Sequence, residues 1–203
     1  IRCMQLNYIA NASTPSSSGR TIPVIDPSDG QPFDEIQRSN AQDIDAAVDA
    51  ASQCFNAVWS RTSAVERGRL LMKLSAKVAE HADELAAIEQ RDCGKPTKQA
   101  KADATALARY FEFYAGACDK LHGDTIPYQD GYSVFTWREP HGVTGHIIPW
   151  NYPMQIFGRS VGGALALSAD ATSRWPPPCT AAPAASPDAP ATATPPRPSR
   201  EPS

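Results

Sequence analysis

Three stretches of the chain repeat apolar side chains at the three- and four-residue spacing of an amphipathic α-helix. The first stretch follows Asn40, a residue type that caps helices, and places Asp43 where the helix dipole favours an acid. The second follows Ser63, which forms a capping-box pattern with Glu66. Each stretch predicts one long helix. The apolar positions of the three stripes are Ile44, Ala47, Val48, Ala51, Phe55 and Val58; Leu71, Leu74, Val78, Leu85 and Ile88; and Leu107, Tyr110, Phe111, Tyr114 and Ala117.

Turn-forming residues mark where these helices end and where strands begin. Gly94, which is closely followed by a proline, predicts the end of the second helix, and the third is expected over 97–120. Ahead of the first helix, Thr21–Ile25 has the composition of a strand and leads into turn residues at 27–30. Residues 13–19 are small and polar, which predicts a linker.

The pattern changes to alternation beyond the third helix. Segments 123–128 and 133–138 flank an Asp–Gly pair at 130–131, which predicts a β-hairpin. Residues 143–148 form a short apolar run typical of a buried strand. A further helix is expected over 156–167, where two adjacent glycines allow another element to approach closely.

The loop between this strand and this helix is the predicted functional site. In open α/β sheets, ligands bind beyond the carboxyl ends of the strands, and residues 149–153 occupy that position. Asn151 is the candidate residue, because Pro149 and Pro153 restrict the backbone on both sides. A rigid side-chain amide can stabilise negative charge on a carbonyl oxygen. The pattern is equally compatible with Asn151 closing the turn, and it leaves both roles open.

Composition narrows the class of protein and divides the chain in two. The net charge of -3 lacks the excess of basic residues expected of a nucleic-acid binder, and no apolar run is long enough for a transmembrane helix. The chain does not open with a charged and apolar leader, and its five scattered cysteines favour a reducing compartment, so we expect a cytoplasmic protein. Ten of the 19 prolines lie in residues 168–203, which predicts a disordered tail.

Histidines and cysteines give no separate catalytic prediction. The four histidines are not spaced to share a metal ion, and the short motifs of phosphate, zinc and serine-nucleophile sites do not occur. Cys54 and Cys118 fall in predicted helices. Cys93 lies near a helix C-terminus, where the dipole does not lower the pKa of a thiol. We therefore expect no metal site from the histidines and no catalytic role for these thiols.

A family resemblance emerges around the candidate loop. Residues 139–153 read Glu-Pro-His-Gly-Val-Thr-Gly-His-Ile-Ile-Pro-Trp-Asn-Tyr-Pro, a run that resembles the aldehyde dehydrogenase signature E-P-x-G-V-x-G-x-I-x-P-W-N-[FY]-P. Upstream, residues 24–27 resemble the family's V-x-[ND]-P strand and turn, and residues 92–96 resemble its D-x-G-K-P element. Trp59 and Ser60, with Arg67, are similar to a further W-x…R element. The resemblance covers about residues 5–167.

The resemblance implies an α/β fold, namely the N-terminal part of a Rossmann-like cofactor domain with a protruding hairpin and an incomplete sheet. Family members oxidise an aldehyde to a carboxylic acid with NAD or NADP, through a thiohemiacetal on a cysteine, and a glutamate activates the water. Asn151 matches the side chain that holds the oxyanion, and Ile25 with Asp92 matches a monovalent-cation site of some members. The positions that match the lining of the cofactor cleft are Ile147, Ile148, Pro149, Trp150 and Asn151.

The same correspondences divide the chain into five parts. They are an N-terminal arm over 1–20, the helical portion of the cofactor domain over 21–121, an oligomerisation-type hairpin over 122–140, a strand–loop–helix unit over 141–167 and the proline-rich tail over 168–203. The implied partners are an aldehyde substrate and other subunits that join through the hairpin. Neither nucleic acid nor a membrane is expected as a partner.

The chain departs from the family pattern after Ala164-Leu165-Ala166. The family's G-N-x-x-V-x-K-P strand with its cofactor lysine does not follow, and neither the nucleophilic cysteine nor the general-base glutamate has a match, since Cys179 lies in the tail. We therefore expect a truncated or frameshifted product that is inactive alone. One alternative is a non-catalytic chain that pairs with a full-length subunit. Another is a chain without a stable fold, whose exposed apolar side chains would include Leu71, Leu74, Phe111 and Tyr114.

Overall fold

The structure is a computed structural model and describes residues 4–167, so the tail predicted over 168–203 lies outside the described residues. Small β-sheets come first in this range, and helices make up most of the remainder. The strands are β1 (Met4–Gln5), β2 (Asn7–Ile9), β3 (Ala12–Thr14), β4 (Thr21–Ile25), β5 (Pro32–Gln37), β6 (Thr125–Ile126) and β7 (Val134–Phe135). The helices are α1 (Ala41–Ala57), a 3₁₀ turn (Trp59–Arg61), α2 (Ala64–Glu80), α3 (Ala82–Cys93), α4 (Thr97–Ala117) and α5 (Pro153–Leu167).

The described strands form three small sheets, as the expectation of an incomplete sheet requires. β4 has the bounds predicted for it and lies antiparallel to β5, while β1 pairs in parallel with the other edge of β5. β2 and β3 form a hairpin whose turn holds Ala10 and Asn11 at positive φ. β6 and β7 form the second hairpin, in the position that the alternation predicted.

Residues 13–19 are not the linker that their composition predicts. The backbone N–H of Ser17 and the hydroxyl of Ser16 donate to the carboxylate of Asp43, at 2.9 and 2.7 Å. These bonds hold the pKa of Asp43 well below its usual range. Asp43 also forms a capping box with Asn40, the predicted N-cap, at the start of α1. One buried carboxylate therefore caps a helix and fastens the preceding segment to it, which composition alone cannot reveal.

The hydrophobic core lies among α2, α4 and α5. Phe111 and Leu107 of α4 belong to one buried cluster with Leu71 of α2 and Met154 of α5. Leu71 and Phe111 are 2% and 1% exposed, so the expectation that they would be exposed without a covering sheet is wrong. The helices cover one another. Leu74 is 37% exposed, as that expectation required.

Close packing of α2 on α4 depends on the absence of a side chain at Gly68. A Cβ at Gly68 would lie 2.8 Å from the carbonyl oxygen of Ala115 on α4. We expect Gly68→Ala to lower the free energy of unfolding by up to about 2 kcal/mol, since overpacking costs about 1–3 kcal/mol and alanine returns about 1 kcal/mol of helix propensity. Urea denaturation of the purified chain measures this change.

Gly116 provides the matched control for that substitution. It also lies within a helix, α4, but a Cβ there would meet nothing within 4 Å. Gly116→Ala is therefore expected to raise the free energy of unfolding, by up to about 1 kcal/mol. Equal effects of the two substitutions would contradict the packing argument.

The second predicted helix is two helices. Its capping box at Ser63 and Glu66 and its left-handed end at Gly94 are confirmed, but the helix breaks at His81, which ends α2 and precedes α3. In α3 the buried residues are Ala86 and Glu89, while Ile88, which was assigned to the buried face, is 58% exposed. The buried positions 75, 78, 86 and 89 keep helical spacing across His81, so the prediction was wrong in choosing Ile88 over Glu89 for its hydrophobicity.

Two apolar segments are exposed where the pattern predicted burial. On α1, Ile44 and Val48 are 58% and 45% exposed. The predicted strand at 143–148 is wrong, because these residues join no ladder among the described strands. A strand forms only beside a partner with which it can exchange backbone hydrogen bonds. Ile147 in this segment is 99% exposed.

The close approach predicted for the glycines of the last helix is confirmed. A Cβ at Gly162 would lie 2.8 Å from the ring of Tyr114, so α5 packs directly on α4 at this point. α5 begins earlier than predicted, at Pro153, where proline is well suited to the first turn of a helix. No helix within residues 4–167 combines the length and the apolar character needed to cross a bilayer.

Candidate functional site

The candidate loop, residues 149–152, precedes the first turn of α5. The carbonyl of Tyr152 accepts a hydrogen bond from the backbone N–H of Ile156 at 3.0 Å, which joins the loop to the helix. Asn151 is exposed, and its side chain makes no hydrogen bond to another described residue. Trp150 beside it is 78% exposed. Asn151 therefore lies exposed in the loop, without a side-chain hydrogen bond to a described residue.

The predicted cleft-lining residues differ in their exposure. Ile147 and Trp150 present apolar surface to solvent, and Pro149 is also exposed. Ile148 is half-buried. Ile147 and Trp150 are therefore exposed apolar side chains close in sequence to Asn151.

The segment that ends α3 touches the loop on both sides of Asn151. The thiol of Cys93 donates to the carbonyl oxygen of Trp150 at a Sγ–O distance of 2.9 Å. The ammonium of Lys95 lies over the ring of Tyr152, 4.2 Å from its centroid. Both residues belong to the D-x-G-K-P element, which is remote from the loop in sequence.

Lys95 is held by a buried cluster of charges. Its Nζ donates to Asp103 at 2.5 Å and to Glu89 at 2.9 Å, and the side chains of Asp103 and Glu89 are 0% and 3% exposed. Gln99 and Gln155 donate to the other oxygen of Asp103, each at 2.7 Å. Asp103 thereby connects α4, the start of α5 and the segment after α3.

The charge states in this cluster support each other. Burial by itself would lower the pKa of Lys95, but the hydrogen bonds to Asp103 and Glu89 outweigh it and raise that pKa. Burial likewise favours the protonated form of Asp103, yet its hydrogen bonds from Lys95 and the two glutamines hold its pKa below the usual value. Lys95 is a cation and Asp103 an anion at neutral pH. The second oxygen of Glu89 accepts no hydrogen bond from a described residue.

Cys93 is close to the loop but is a poor nucleophile. Burial, the carboxylate of Asp92 and that of Glu89 together raise the pKa of the Cys93 thiol to about 11. The thiolate is the reactive form, so this environment suppresses attack on a carbonyl. Sequence reasoning expected no catalytic role for Cys93, and burial supplies a stronger reason than the helix end did.

The suppressed thiol predicts selective alkylation. We expect iodoacetamide at pH 7 to modify the exposed Cys54 well before the half-buried Cys93. A rise in pKa from 9.0 to about 11 lowers the thiolate fraction by roughly 100-fold. Peptide mass spectrometry over a time course measures both rates in one sample. Cys93 reacting as fast as Cys54 would contradict the burial argument.

The candidate cation site at Ile25 and Asp92 stays a prediction. Ile25 ends β4 and Asp92 lies in the last turn of α3, where it is exposed. The neighbouring Arg91 lies 3.7 Å from the carboxylate of Asp26, which places a positive charge close to both segments and disfavours a second cation there. Among residues 4–167 no group of three histidine, cysteine or carboxylate side chains could hold a metal ion.

His146 is engaged in local hydrogen bonds. Its Nδ1 lies 2.5 Å from the hydroxyl of Ser160, and its Nε2 lies 2.9 Å from that of Thr144. The bond to Ser160 fastens the 143–148 segment to α5.

Sequence reasoning missed the residues beneath the loop. Asp103, Glu89 and Gln155 lie on three different helices, and their register shows no spacing motif. The available signal was an acid at position 103 on the apolar face of the third helix, since a carboxylate there requires a buried partner. Lys95 belongs to the D-x-G-K-P element, but that motif by itself indicates no role for its side chain.

Comparisons with known proteins find relatives that match most of this chain. A sequence model described as "Aldehyde dehydrogenase family" matches residues 14–173. Hydroxyisobutyraldehyde dehydrogenase from Mycolicibacterium austroafricanum is 46% identical over 162 residues, which are 80% of this chain and 32% of that protein. Retinal dehydrogenase 2 from Homo sapiens is 44% identical over 161 residues, 78% of this chain and 31% of that protein.

Solved structures show the same partial coverage. A putative aldehyde dehydrogenase from Burkholderia cenocepacia is 65% identical with a TM-score of 0.79, and the match covers 81% of this chain and 35% of that one. PnpE in complex with nicotinamide adenine dinucleotide is 37% identical with a TM-score of 0.78, covering 82% of this chain and 34% of that one. The chain spans about a third of the length of the curated relatives it matches.

Proposed function

The chain belongs to the aldehyde dehydrogenase family, and from this premise we propose that it supplies the oxyanion-holding loop and one wall of the cofactor cleft for oxidation of an aldehyde to a carboxylic acid. The observation that carries the proposal is the solvent-facing Asn151 amide, which donates to no other described residue. An amide that is not occupied elsewhere is available to a substrate oxygen. The loop that bears it is contacted from two sides by residues 93–95.

Asn151 acts on charge that develops during the reaction. When a nucleophile adds to an aldehyde, the carbonyl oxygen becomes negative, and a donor already in place stabilises it without reorganising. The Asn151 Nδ2–H group is such a donor. Because the ground-state carbonyl is a weaker acceptor than the oxyanion, the interaction favours the transition state over the bound aldehyde.

The residues present fit one side of a nicotinamide cofactor. The exposed apolar surfaces of Ile147 and Trp150, with Pro149 and the half-buried Ile148, are suited to contact a planar ring. When bound, NAD or NADP supplies the hydride acceptor for the oxidation. This chain's own contribution is to exclude water along that wall and to hold the Asn151 donor beside it.

We do not assign the nucleophile or the general base to residues 4–167. Among them Cys93 is held as a thiol, Cys118 is buried with a raised pKa, and Cys54 lies on α1, which has no part in the loop. The chain alone is accordingly proposed to be inactive. We further propose that it acts in the cytoplasm, since an odd number of scattered cysteines suits a reducing compartment.

A chimera tests the proposal. Residues 14–167 would replace the matching segment of the Burkholderia cenocepacia protein, which is 65% identical. We expect the chimera to produce NADH or NADPH in the presence of an aldehyde, and the purified chain to produce none. The unaltered Burkholderia protein is the positive control. An inactive chimera beside an active control, or aldehyde-dependent turnover by the pure chain, would contradict the proposal.

A second candidate, pairing with an intact dehydrogenase subunit, rests on the hairpin of β6 and β7. Four of its aromatic side chains are more than half exposed, which is unusual for a surface without a partner. They are Tyr128, Tyr132, Phe135 and Trp137. Co-purification of the tagged chain with the untagged Burkholderia protein supports this candidate, and its loss in a Tyr132→Ser and Phe135→Ser variant would locate the contact.

A further inference from the structure

The position of the Asn151 loop depends on a small number of contacts. The loop has no strand on its N-terminal side, because 143–148 joins no ladder among the described residues. On its C-terminal side it enters α5 directly. Asn151 itself makes no hydrogen bond within residues 4–167. The contacts that hold the Asn151 amide in place must therefore be made by the residues on either side of it.

Two contacts meet that requirement, one on each side. The Cys93 thiol donates to the Trp150 carbonyl at 2.9 Å, which restrains the peptide that leads into Asn151. The Lys95 ammonium lies 4.2 Å from the Tyr152 ring centroid, which restrains the residue that follows. Only Gly94 separates the two contacting residues, and its left-handed backbone (φ of 68°) turns the chain sharply between them.

Lys95 is suited to position a ring because its own position is preset. Asp103 and Glu89 take two of its three N–H groups in a buried site. A lysine on the surface would have to lose side-chain freedom to make the same contact. Here Asp103 and Glu89 already restrain the ammonium, so its contact with the Tyr152 ring costs little further side-chain freedom.

We propose that Cys93 and Lys95 are positioning residues that clamp the loop at two points and so aim the Asn151 amide. This inference rests on the proposed function only for the role of Asn151, since the clamp itself is a property of the fold. Cys93 acts here as a protonated donor. Lys95 restrains Tyr152 by contact with the face of its ring, and the tyrosine hydroxyl has no part in this contact.

The test uses the full chain labelled with 5-fluorotryptophan. Its four tryptophans each give one ¹⁹F resonance, and Trp150→Phe identifies the reporter next to Asn151. Tyr152→Leu removes the aromatic face without disturbing the buried charges, and Tyr152→Phe retains that face as the matched control. We expect the Trp150 line to narrow by about twofold in Tyr152→Leu, because the freed loop moves on the nanosecond scale, and to stay unchanged in Tyr152→Phe.

Two further variants examine each point of the clamp. Cys93→Ala removes the donor to the Trp150 carbonyl, and Lys95→Met removes the cation; both are expected to narrow the Trp150 line and to leave the Trp59 line unchanged. If Lys95→Met also alters the Trp59 line, the substitution has disturbed the core. The comparison of Tyr152→Leu with Tyr152→Phe then tests whether the contact of Lys95 with the ring restrains the loop. An unchanged Trp150 line in Tyr152→Leu, or equal narrowing in Tyr152→Phe, would overturn the inference.

This readout separates the clamp from the reaction. A Trp150 line that responds as expected, together with an inactive chimera, would leave the clamp standing and reject the proposed function. An active chimera, together with a Trp150 line that does not respond in Tyr152→Leu, would support the proposed function and reject the clamp. Neither result depends on turnover by the chain alone.

Discussion

Replacing Asn151 by alanine in the active chimera is expected to lower kcat by about 10²–10³-fold. The amide is exposed and has no hydrogen bond within residues 4–167, so the substitution removes no described structural contact. The loss therefore falls on the oxyanion. KM for the aldehyde should change little, because the neutral carbonyl is a weaker acceptor than the charged oxygen.

Asn151→Asp sharpens this prediction. The carboxylate has nearly the same shape as the amide but carries no donor and adds a negative charge next to the developing oxyanion. We expect kcat to fall at least as far as in Asn151→Ala. Steady-state kinetics with a single aldehyde over a range of NAD or NADP concentrations give both constants.

A matched control and an opposing outcome keep the prediction specific. Asn56→Ala removes another exposed asparagine, one that lies in α1, and it should leave kcat unchanged. If Asn151→Ala leaves kcat unchanged while lowering the thermal stability, Asn151 closes the turn, which was the other role that the sequence pattern allowed.

Local signals predicted the helices well because caps and stops act within a few residues. Asn40 with Asp43, Ser63 with Glu66, and Gly94 each mark a boundary that the structure confirms. These groups satisfy backbone donors or allow a left-handed residue wherever the helix lies in the fold. Their effect does not depend on distant parts of the chain.

Errors arose where the outcome depends on neighbours in space. Residues 143–148 have the composition of a buried strand, but no described strand lies beside them, and Ile147 is exposed. The buried side of α3 includes Glu89, which no hydrophobic periodicity would select. Burial of Glu89 makes sense only beside Lys95, and that pairing is a tertiary fact.

In the candidate site, too, the sequence predicted one residue and missed the residues of other elements that lie beneath its loop. Family resemblance and the flanking prolines selected Asn151, and the structure places that residue on an exposed loop. The cluster of Lys95, Asp103 and Gln155 beneath the loop was not predicted, because its members come from separate elements. A buried acid on an apolar helix face is the one sequence feature that points to such a cluster.

Lys95→Met is expected to cost about 3–5 kcal/mol in the free energy of unfolding, because it leaves Glu89 and Asp103 buried without their cation. The methionine side chain fills most of the same space, so the loss comes from charge and not from a cavity. Urea denaturation at neutral pH measures it. Lys77→Met is the matched control, since Lys77 pairs with Glu80 on the surface and its loss should have little effect.

The pH dependence of stability gives this prediction a distinctive sign. In the wild type the folded-state pKa of Asp103 is depressed, so its contribution is present above the unfolded pKa and is lost as pH falls through the folded value. The raised pKa of Lys95 adds stability that is complete below its unfolded pKa and is lost only as pH rises through the folded value. Between about pH 7 and about pH 4, these groups give the wild type no gain from acidification.

Without the Lys95 cation, the dependence of stability on pH reverses its sign on mild acidification. The two carboxylates would remain buried close to each other, which raises the folded-state pKa of at least one of them above its unfolded value. A group shifted in that direction binds a proton more readily in the folded state, so stability increases as pH falls from about 7 to about 5. Lys95→Met should therefore recover part of its loss on mild acidification, while the wild type and Lys77→Met do not. A parallel pH profile for all three proteins would contradict the buried charge cluster.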